Sequence, residues 1–193
     1  FIICDHHTPG EALPDAVACL DAKREDCTYP DKNLSGCGVG FKLMQAFCRV
    51  NNYKEQELLE YLDLLVVSIA SDIVPMIGEN RVLAYHGLKK LNENPSVGMK
   101  AIIKLTGLDE KTISASDIIF KIGPRINAAG RMNTGNDAVR LLISEDIQTA
   151  ERKEEGNKLG IHRVQKDVSL GKQRMIFSLD AGRVWFLSVF FYD

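Results

Sequence analysis

The sequence predicts an α/β fold in which a partly parallel sheet with flanking helices is followed by a mainly helical second half. Two short apolar runs, Phe1–Cys4 and Ala16–Leu20, are each bounded by turn-forming or charged residues, as is typical of buried strands. Later segments instead carry apolar residues at helical spacing. With 193 residues and 45% hydrophobic composition, the chain is long enough to bury one main core.

Helices are predicted from the apolar periodicity between these strands and about residue 163. The segment up to Val50 has one apolar face and follows Ser35 and a glycine-rich stretch. Leu58–Ala70 is apolar nearly all round and predicts a buried helix, which ends before Pro75. Further helices are predicted over Glu79–Leu91 with an apolar side formed by Val82, Tyr85, Leu88 and Leu91, over Gly98–Leu105, and over Ser114–Ile122.

Bulk properties restrict the classes of partner and compartment. The longest uncharged apolar run, Leu64–Ala70, is far shorter than the roughly 20 residues of a membrane span, and no signal peptide is recognisable, so we expect a cytoplasmic protein without a membrane partner. The five cysteines contain no CxxC pair, which favours reduced thiols. Because the net charge is -2, any nucleic-acid contact must depend on local groups of lysines and arginines.

The triplet Asp5-His6-His7 directly follows the first predicted strand. Ligands in open α/β sheets tend to gather at the carboxyl ends of strands, and oxygen and nitrogen donors of this kind suit manganese, magnesium or zinc. Side chains alternate along an extended chain, so a turn must begin at the triplet if all three are to converge. The alternative interpretation is an ordinary group of polar residues at a strand end.

Asp72 comes immediately after the most hydrophobic predicted helix, which holds its carboxylate at the edge of the core. A buried carboxylate needs a partner, and a metal ion is one that offsets the loss of hydration. A helix-terminal aspartate that accepts backbone N–H groups is the equally good alternative.

Two further segments have features of phosphate contacts. Gly123–Arg131 has turn residues at both ends and two arginines, which predicts a loop whose guanidinium groups can bind phosphate. A surface helix connection is the alternative. The glycine-rich segment from Ser35 to Gly40 opens a helix and either cradles phosphate there or, as we favour, permits tight helix packing.

Four segments together resemble RecJ-type single-strand-specific exonucleases of the DHH phosphoesterase family. In chain order they are DHHTPGEALPDA, LSGCGVGFKL, SIASDIVPMIGENR and GPRINAAGRM, and the resemblance extends over roughly Ile2–Arg163. It implies a partial catalytic core over residues 1–163, which lacks the family's upstream aspartate motifs and its second lobe. It leaves residues 164–193 as an unmatched tail with an apolar end.

The resemblance also implies the chemistry. Asp5, His6, His7 and Asp72 are then catalytic metal ligands for two Mn²⁺ or Mg²⁺ ions, in a site that this segment leaves incomplete. The residues implied to contact substrate are Arg81, Arg125, Asn127 and Arg131, with Asn80 nearby. The implied substrate is single-stranded DNA, which is degraded from its 5′ end in repair and recombination. Two alternatives stay open: another DHH phosphoesterase acting on oligonucleotides, cyclic dinucleotides or pyrophosphate, and an inert binding fragment.

Overall fold

The structure, a computed structural model, describes the backbone of residues 1–132 and 135–146 and the side chains of these ranges outside 128–137. The predicted tail at 164–193 therefore lies outside the described residues. The chain divides into two compact units, Phe1–Lys90 and the part from Leu91 onward.

The sheet of the first unit is parallel, as predicted. Strand β1 (Ile2–Asp5) pairs with β2 (Ala18–Asp21), and the register joins Ile2 to Ala18 at one end and Asp5 to Asp21 at the other. Both strands therefore end at the same edge of the sheet, and each ends in an aspartate. With the helices described below, this confirms the predicted α/β class.

Helix α1 (Gly36–Val50) begins at Ser35, whose Oγ accepts the Gly38 N–H at 3.1 Å. The next predicted helix, Leu58–Ala70, is wrong in its first turn: a 3₁₀ helix covers Glu55–Tyr61, and α2 covers Leu62–Ser71. Only Leu58 is buried in the 3₁₀ segment, whereas most of α2 is buried, so packing selects the full α-helix only from Leu62.

Helix α3 (Gly78–Glu93) forms where it was predicted, and its predicted apolar side is correct only toward its C-terminal end. Leu91 is buried and Leu88 is half-buried, but Val82 and Tyr85 are 58% and 67% exposed, whereas Ala84 and Gly87 are buried. A Cβ at Gly87 would lie 2.5 Å from the Leu62 carbonyl oxygen, so α3 and α2 pack with almost no space between their backbones. Small residues make this contact, and apolar periodicity does not detect them.

The second unit is helical in its described residues. It contains α4 (Val97–Leu105), a short turn α5 (Ala115–Asp117), a π-helical turn (Ile118–Ile122), α6 (Gly123–Met132) and α7 (Gly135–Leu142). Ser114 and Asp117 form a capping box at the start of α5. The predicted loop over Gly123–Arg131 is wrong, since the segment is helical. Pro124 directly follows the π-helical turn, where the regular i→i−4 hydrogen bonding of the helix is already interrupted.

Both units bury aliphatic side chains, among them Val66, Ile69, Met99, Ile102 and Ile118. No helix in the described part of the chain is long and apolar enough to cross a membrane. The five cysteines are free thiols, as the sequence indicates.

Candidate functional site

The candidate site begins where β1 ends. The Asp5 carboxylate oxygen Oδ1 accepts the backbone N–H groups of His6 at 2.7 Å and of His7 at 3.2 Å, and so it turns the chain at the strand end. The same oxygen lies 2.7 Å from His7 Nδ1. The turn that the sequence required for convergence is therefore present, and Asp5 itself forms it.

His6 points into the unit and meets Asp72. Its Nε2 lies 3.7 Å from Asp72 Oδ2, and the two side chains are only 8% and 3% exposed. The His6 and His7 rings are tilted against each other with centroids 4.3 Å apart. The structure thus brings all four predicted ligands together, as an Asp5–His7 pair and a His6–Asp72 pair that touch through the imidazoles.

Asp72 follows the last residue of α2 and is held from two directions. Ser68 Oγ donates to Asp72 Oδ2 at 3.1 Å, and the Ser68 carbonyl oxygen accepts the Asp72 N–H at 2.9 Å. The Gly36 N–H, at the start of α1, also donates to the Asp72 carboxylate. The N-terminus of α1 therefore faces a carboxylate of the protein itself.

Burial sets the protonation states of the inner pair. It raises the pKa of Asp72 to about 6, against the lowering effect of the Ser68 and Gly36 hydrogen bonds. Burial, with the nearby positive charges of His7 and Lys23, lowers the pKa of His6 to about 4. At neutral pH His6 is therefore a neutral imidazole beside an ionised carboxylate, the state in which both groups can bind a metal ion.

The outer pair is less deeply buried. Burial works to raise the pKa of Asp5, but the hydrogen bonds from the His7 side chain and from the N–H groups of His6 and His7 hold it below its usual value. Asp5 is thus ionised at neutral pH, and its hydrogen bond fixes the His7 ring through Nδ1.

Asp21 is a neighbour of the site that sequence reasoning missed. It is 8% exposed, pairs in register with Asp5, and accepts the Lys23 N–H through Oδ1 at 2.8 Å. Burial and the nearby Asp5 carboxylate raise its pKa. The available signal was its position directly after the second apolar run, because parallel strands end at one edge of the sheet.

The four side chains fit a divalent cation by donor type, since carboxylate oxygens and imidazole nitrogens are ligands of Mn²⁺ and related ions. The buried Asp72 carboxylate also gains from a positive partner. Within residues 1–132 and 135–146, however, no three His, Cys, Asp or Glu side chains converge closely enough to hold a metal ion by themselves. The ligand set of these residues is therefore partial.

The residues predicted to contact substrate have different positions. Arg81 is exposed in the first turn of α3. Asn80 is fully buried, and its Nδ2 donates to the carbonyl oxygens of Asn33 at 2.6 Å and Pro75 at 3.1 Å, which makes its role structural. Arg125 and Asn127 are half-buried in α6 of the second unit. The Arg131 side chain lies outside the described residues, so these substrate contacts stay predictions.

Comparison with known proteins identifies the class. Residues 1–69, which carry both strands, the Asp5-His6-His7 triplet and most of α2, match the N-terminal domain of the DHH family. This segment of the chain is therefore similar to that domain.

The curated relatives that match most of the chain include several RecJ proteins. The chain is 41% identical over 150 residues to the single-stranded-DNA-specific exonuclease RecJ of Bacillus subtilis, covering 78% of this chain and 18% of that protein. It is 34% identical over 183 residues to RecJ of Escherichia coli, covering 89% and 31%. The chain is therefore RecJ-like over most of its length and spans less than a third of these curated relatives.

Solved structures agree with the sequence comparison. A crystal structure of exonuclease RecJ bound to manganese matches with a TM-score of 0.72 and 32% identity, covering 88% of this chain and 42% of that one. RecJ from Thermus thermophilus in complex with Mn²⁺ also matches with a TM-score of 0.72, at 31% identity, covering 88% of this chain and 25% of that one.

Proposed function

We propose that this chain is part of the catalytic core of a metal-dependent exonuclease that hydrolyses single-stranded DNA. The observation that carries the proposal is the meeting of Asp5, His6, His7 and Asp72 at the carboxyl edge of the parallel strands. The similarity to single-stranded-DNA-specific exonucleases over 78% to 89% of the chain supports the substrate class.

Asp5, His6, His7 and Asp72 would hold Mn²⁺ or Mg²⁺, the ions that the RecJ crystal structures contain. Bound ions of this kind lower the pKa of a coordinated water and polarise a phosphodiester. The protein's own contribution is to present an ionised Asp72 and a neutral His6 from a buried position and to fix His7 through Asp5. Because the described ligand set is partial, we infer that the isolated chain is inactive and that further ligands come from other parts of the protein.

Substrate binding depends on local positive charge, because the whole chain carries a net charge of -2. Arg81 in α3 and Arg125 in α6 are the described candidates for phosphate contacts. Asn127 is also in α6, and the Arg131 side chain lies outside the described residues. By similarity to RecJ, the protein degrades strands from the 5′ end in DNA repair and recombination, and we place it in the cytoplasm.

The proposal is tested by Mn²⁺-dependent degradation of 5′-labelled single-stranded DNA by the protein that contains this chain. His6→Ala and Asp72→Ala should each reduce the rate by at least about 100-fold, since each removes a ligand from the site. His86→Ala and Asp26→Ala are the matched controls, because both side chains are exposed and lie outside the site. Their rates should stay within about 2-fold of the parent protein's rate.

Two results would contradict the proposal. If Asp72→Ala and His6→Ala degrade DNA as fast as the controls, the four residues are not the catalytic site. If the protein hydrolyses dinucleotides, cyclic dinucleotides or pyrophosphate but leaves long single strands intact, it is a different DHH phosphoesterase.

A further inference from the structure

The hydroxyl of Ser68 lies in the most hydrophobic helix of the first unit, between the buried chain neighbours Val66 and Ile69. Ser68 itself is half-buried, so its hydroxyl loses part of its hydration and gains from a hydrogen bond. Ser68 Oγ directs its proton to Asp72 Oδ2 at 3.1 Å.

The Asp72 oxygen that accepts the Ser68 hydrogen bond is the one that faces His6. Asp72 Oδ2 lies 3.7 Å from His6 Nε2 and accepts the proton of Ser68, while the Gly36 N–H supplies a second donor to the same carboxylate. Rotation of the carboxylate about its last torsion angle would break the Ser68 contact. Ser68 therefore selects one orientation of Asp72, with Oδ2 toward the imidazole.

From these contacts we infer that Ser68 is a positioning residue, which pre-orients Asp72 for a divalent cation. The inference rests on the proposed function of Asp72 as a metal ligand and adds a residue that acts through it. Groups that orient a metal ligand by hydrogen bonding typically contribute about 10–100-fold to metal affinity. Ser68 should contribute within this range, although it does not touch the ion.

Ser71 provides a matched control for this inference. It lies in the same helix and directly precedes Asp72, and its buried Oγ has no hydrogen-bond partner among the described residues. Ser68→Ala and Ser71→Ala thus delete the same atom from the same helix, but only the first removes a bond to Asp72. Ser68→Thr keeps a hydroxyl at position 68 and tests rescue.

The experiment is calorimetric titration of the protein that contains this chain with Mn²⁺ alone, for the parent, the three serine variants and Asp72→Asn. Ser68→Ala should weaken Mn²⁺ binding by about 10–100-fold, Ser71→Ala by less than about 3-fold, and Ser68→Thr should recover most of the loss. Thermal unfolding without metal shows whether each variant is folded, and a purely structural role would shift unfolding while leaving Mn²⁺ affinity unchanged.

The outcomes separate the inference from the proposed function. If Asp72→Asn loses Mn²⁺ binding while Ser68→Ala binds as tightly as Ser71→Ala, Ser68 is not a positioning residue, and the metal site stands. If Asp72→Asn binds Mn²⁺ like the parent protein, the metal site itself is refuted, and the inference about Ser68 fails with it.

Discussion

Gly87 controls how closely α3 approaches the helix that carries Ser68 and leads to Asp72. In Gly87→Ala, the new Cβ would lie 2.5 Å from the Leu62 carbonyl oxygen and 2.6 Å from the Val66 Cβ. Neither atom is at the end of a flexible side chain that can rotate away. The helices must therefore separate by about 0.9 Å to reach the 3.4 Å at which ordinary van der Waals contact begins.

Two opposing effects set the change in the free energy of unfolding. Overpacking of this kind destabilises by about 1–3 kcal/mol, and a clash with backbone on one side and a β-branched residue on the other belongs at the upper end. Alanine gains about 1 kcal/mol over glycine as a helix former. We therefore expect Gly87→Ala to lower the free energy of unfolding by about 2 kcal/mol, which corresponds to a Tm lower by about 4–8 °C for a chain of this size.

Urea and thermal denaturation followed by circular dichroism measure this effect. Gly10→Ala is the control, because a Cβ there meets no atom within 4 Å, and its stability should match the parent's. If Gly87→Ala is as stable as Gly10→Ala, or more stable, the close packing of α3 against α2 is refuted.

Three more predictions concern single contacts, each measured by urea denaturation. Asn80→Ala removes two hydrogen bonds from a fully buried side chain, one of them to Asn33, and should destabilise by about 2–4 kcal/mol; no loss would contradict its structural role. Ile73 has φ of 52° and is 76% exposed, so Ile73→Asn should stabilise by about 0.5–1 kcal/mol, and a destabilised variant would argue against strain there. The hydrogen bond from Lys111 lowers the pKa of Asp117 in the folded state, so its contribution to stability is present above the unfolded pKa of about 3.9 and is lost as pH falls further. Asp117→Asn should therefore be less stable than the parent at pH 7, by a difference that shrinks below about pH 4. A difference that does not change with pH would contradict this reasoning.

The sequence was sufficient for the parts of the site that follow from strand ends and helix ends. Asp5-His6-His7 stands out because it interrupts an apolar run, and Asp72 because it ends a helix that is apolar nearly all round. Parallel pairing then places the triplet at the carboxyl edge of the sheet. The α/β class and the family resemblance could therefore be predicted from the sequence alone.

Contacts between segments that are distant in sequence could not be predicted from the sequence. The Gly36 N–H reaches Asp72 across 36 positions of sequence, and no local pattern indicates this hydrogen bond. The position of Asp21 after the second apolar run indicates the edge of the sheet, but the register that pairs it with Asp5 is set by tertiary packing. The inward face of α3 was predicted only in part, because Gly87 makes the close contact with α2 and Ala84 is buried while Val82 stays exposed. Local propensity does not predict these contacts, since they are determined by tertiary packing.

The helical state of Gly123–Arg131 was missed for a related reason. Glycine and proline together predict a turn, but here they continue a helical run and Pro124 directly follows a π-helical turn, where regular helix hydrogen bonding is already interrupted. Arg125 and Asn127 consequently lie in a helix and not in a loop.

The most direct test of the metal site is the anomalous diffraction of crystals of the protein that contains this chain, grown or soaked with Mn²⁺. Our account predicts a manganese peak within about 2.5 Å of an Asp72 carboxylate oxygen and of at least one donor atom from Asp5, His6 or His7. A fully loaded crystal in which manganese binds elsewhere, with the Asp72 carboxylate still facing His6 and no ion beside it, would contradict the account.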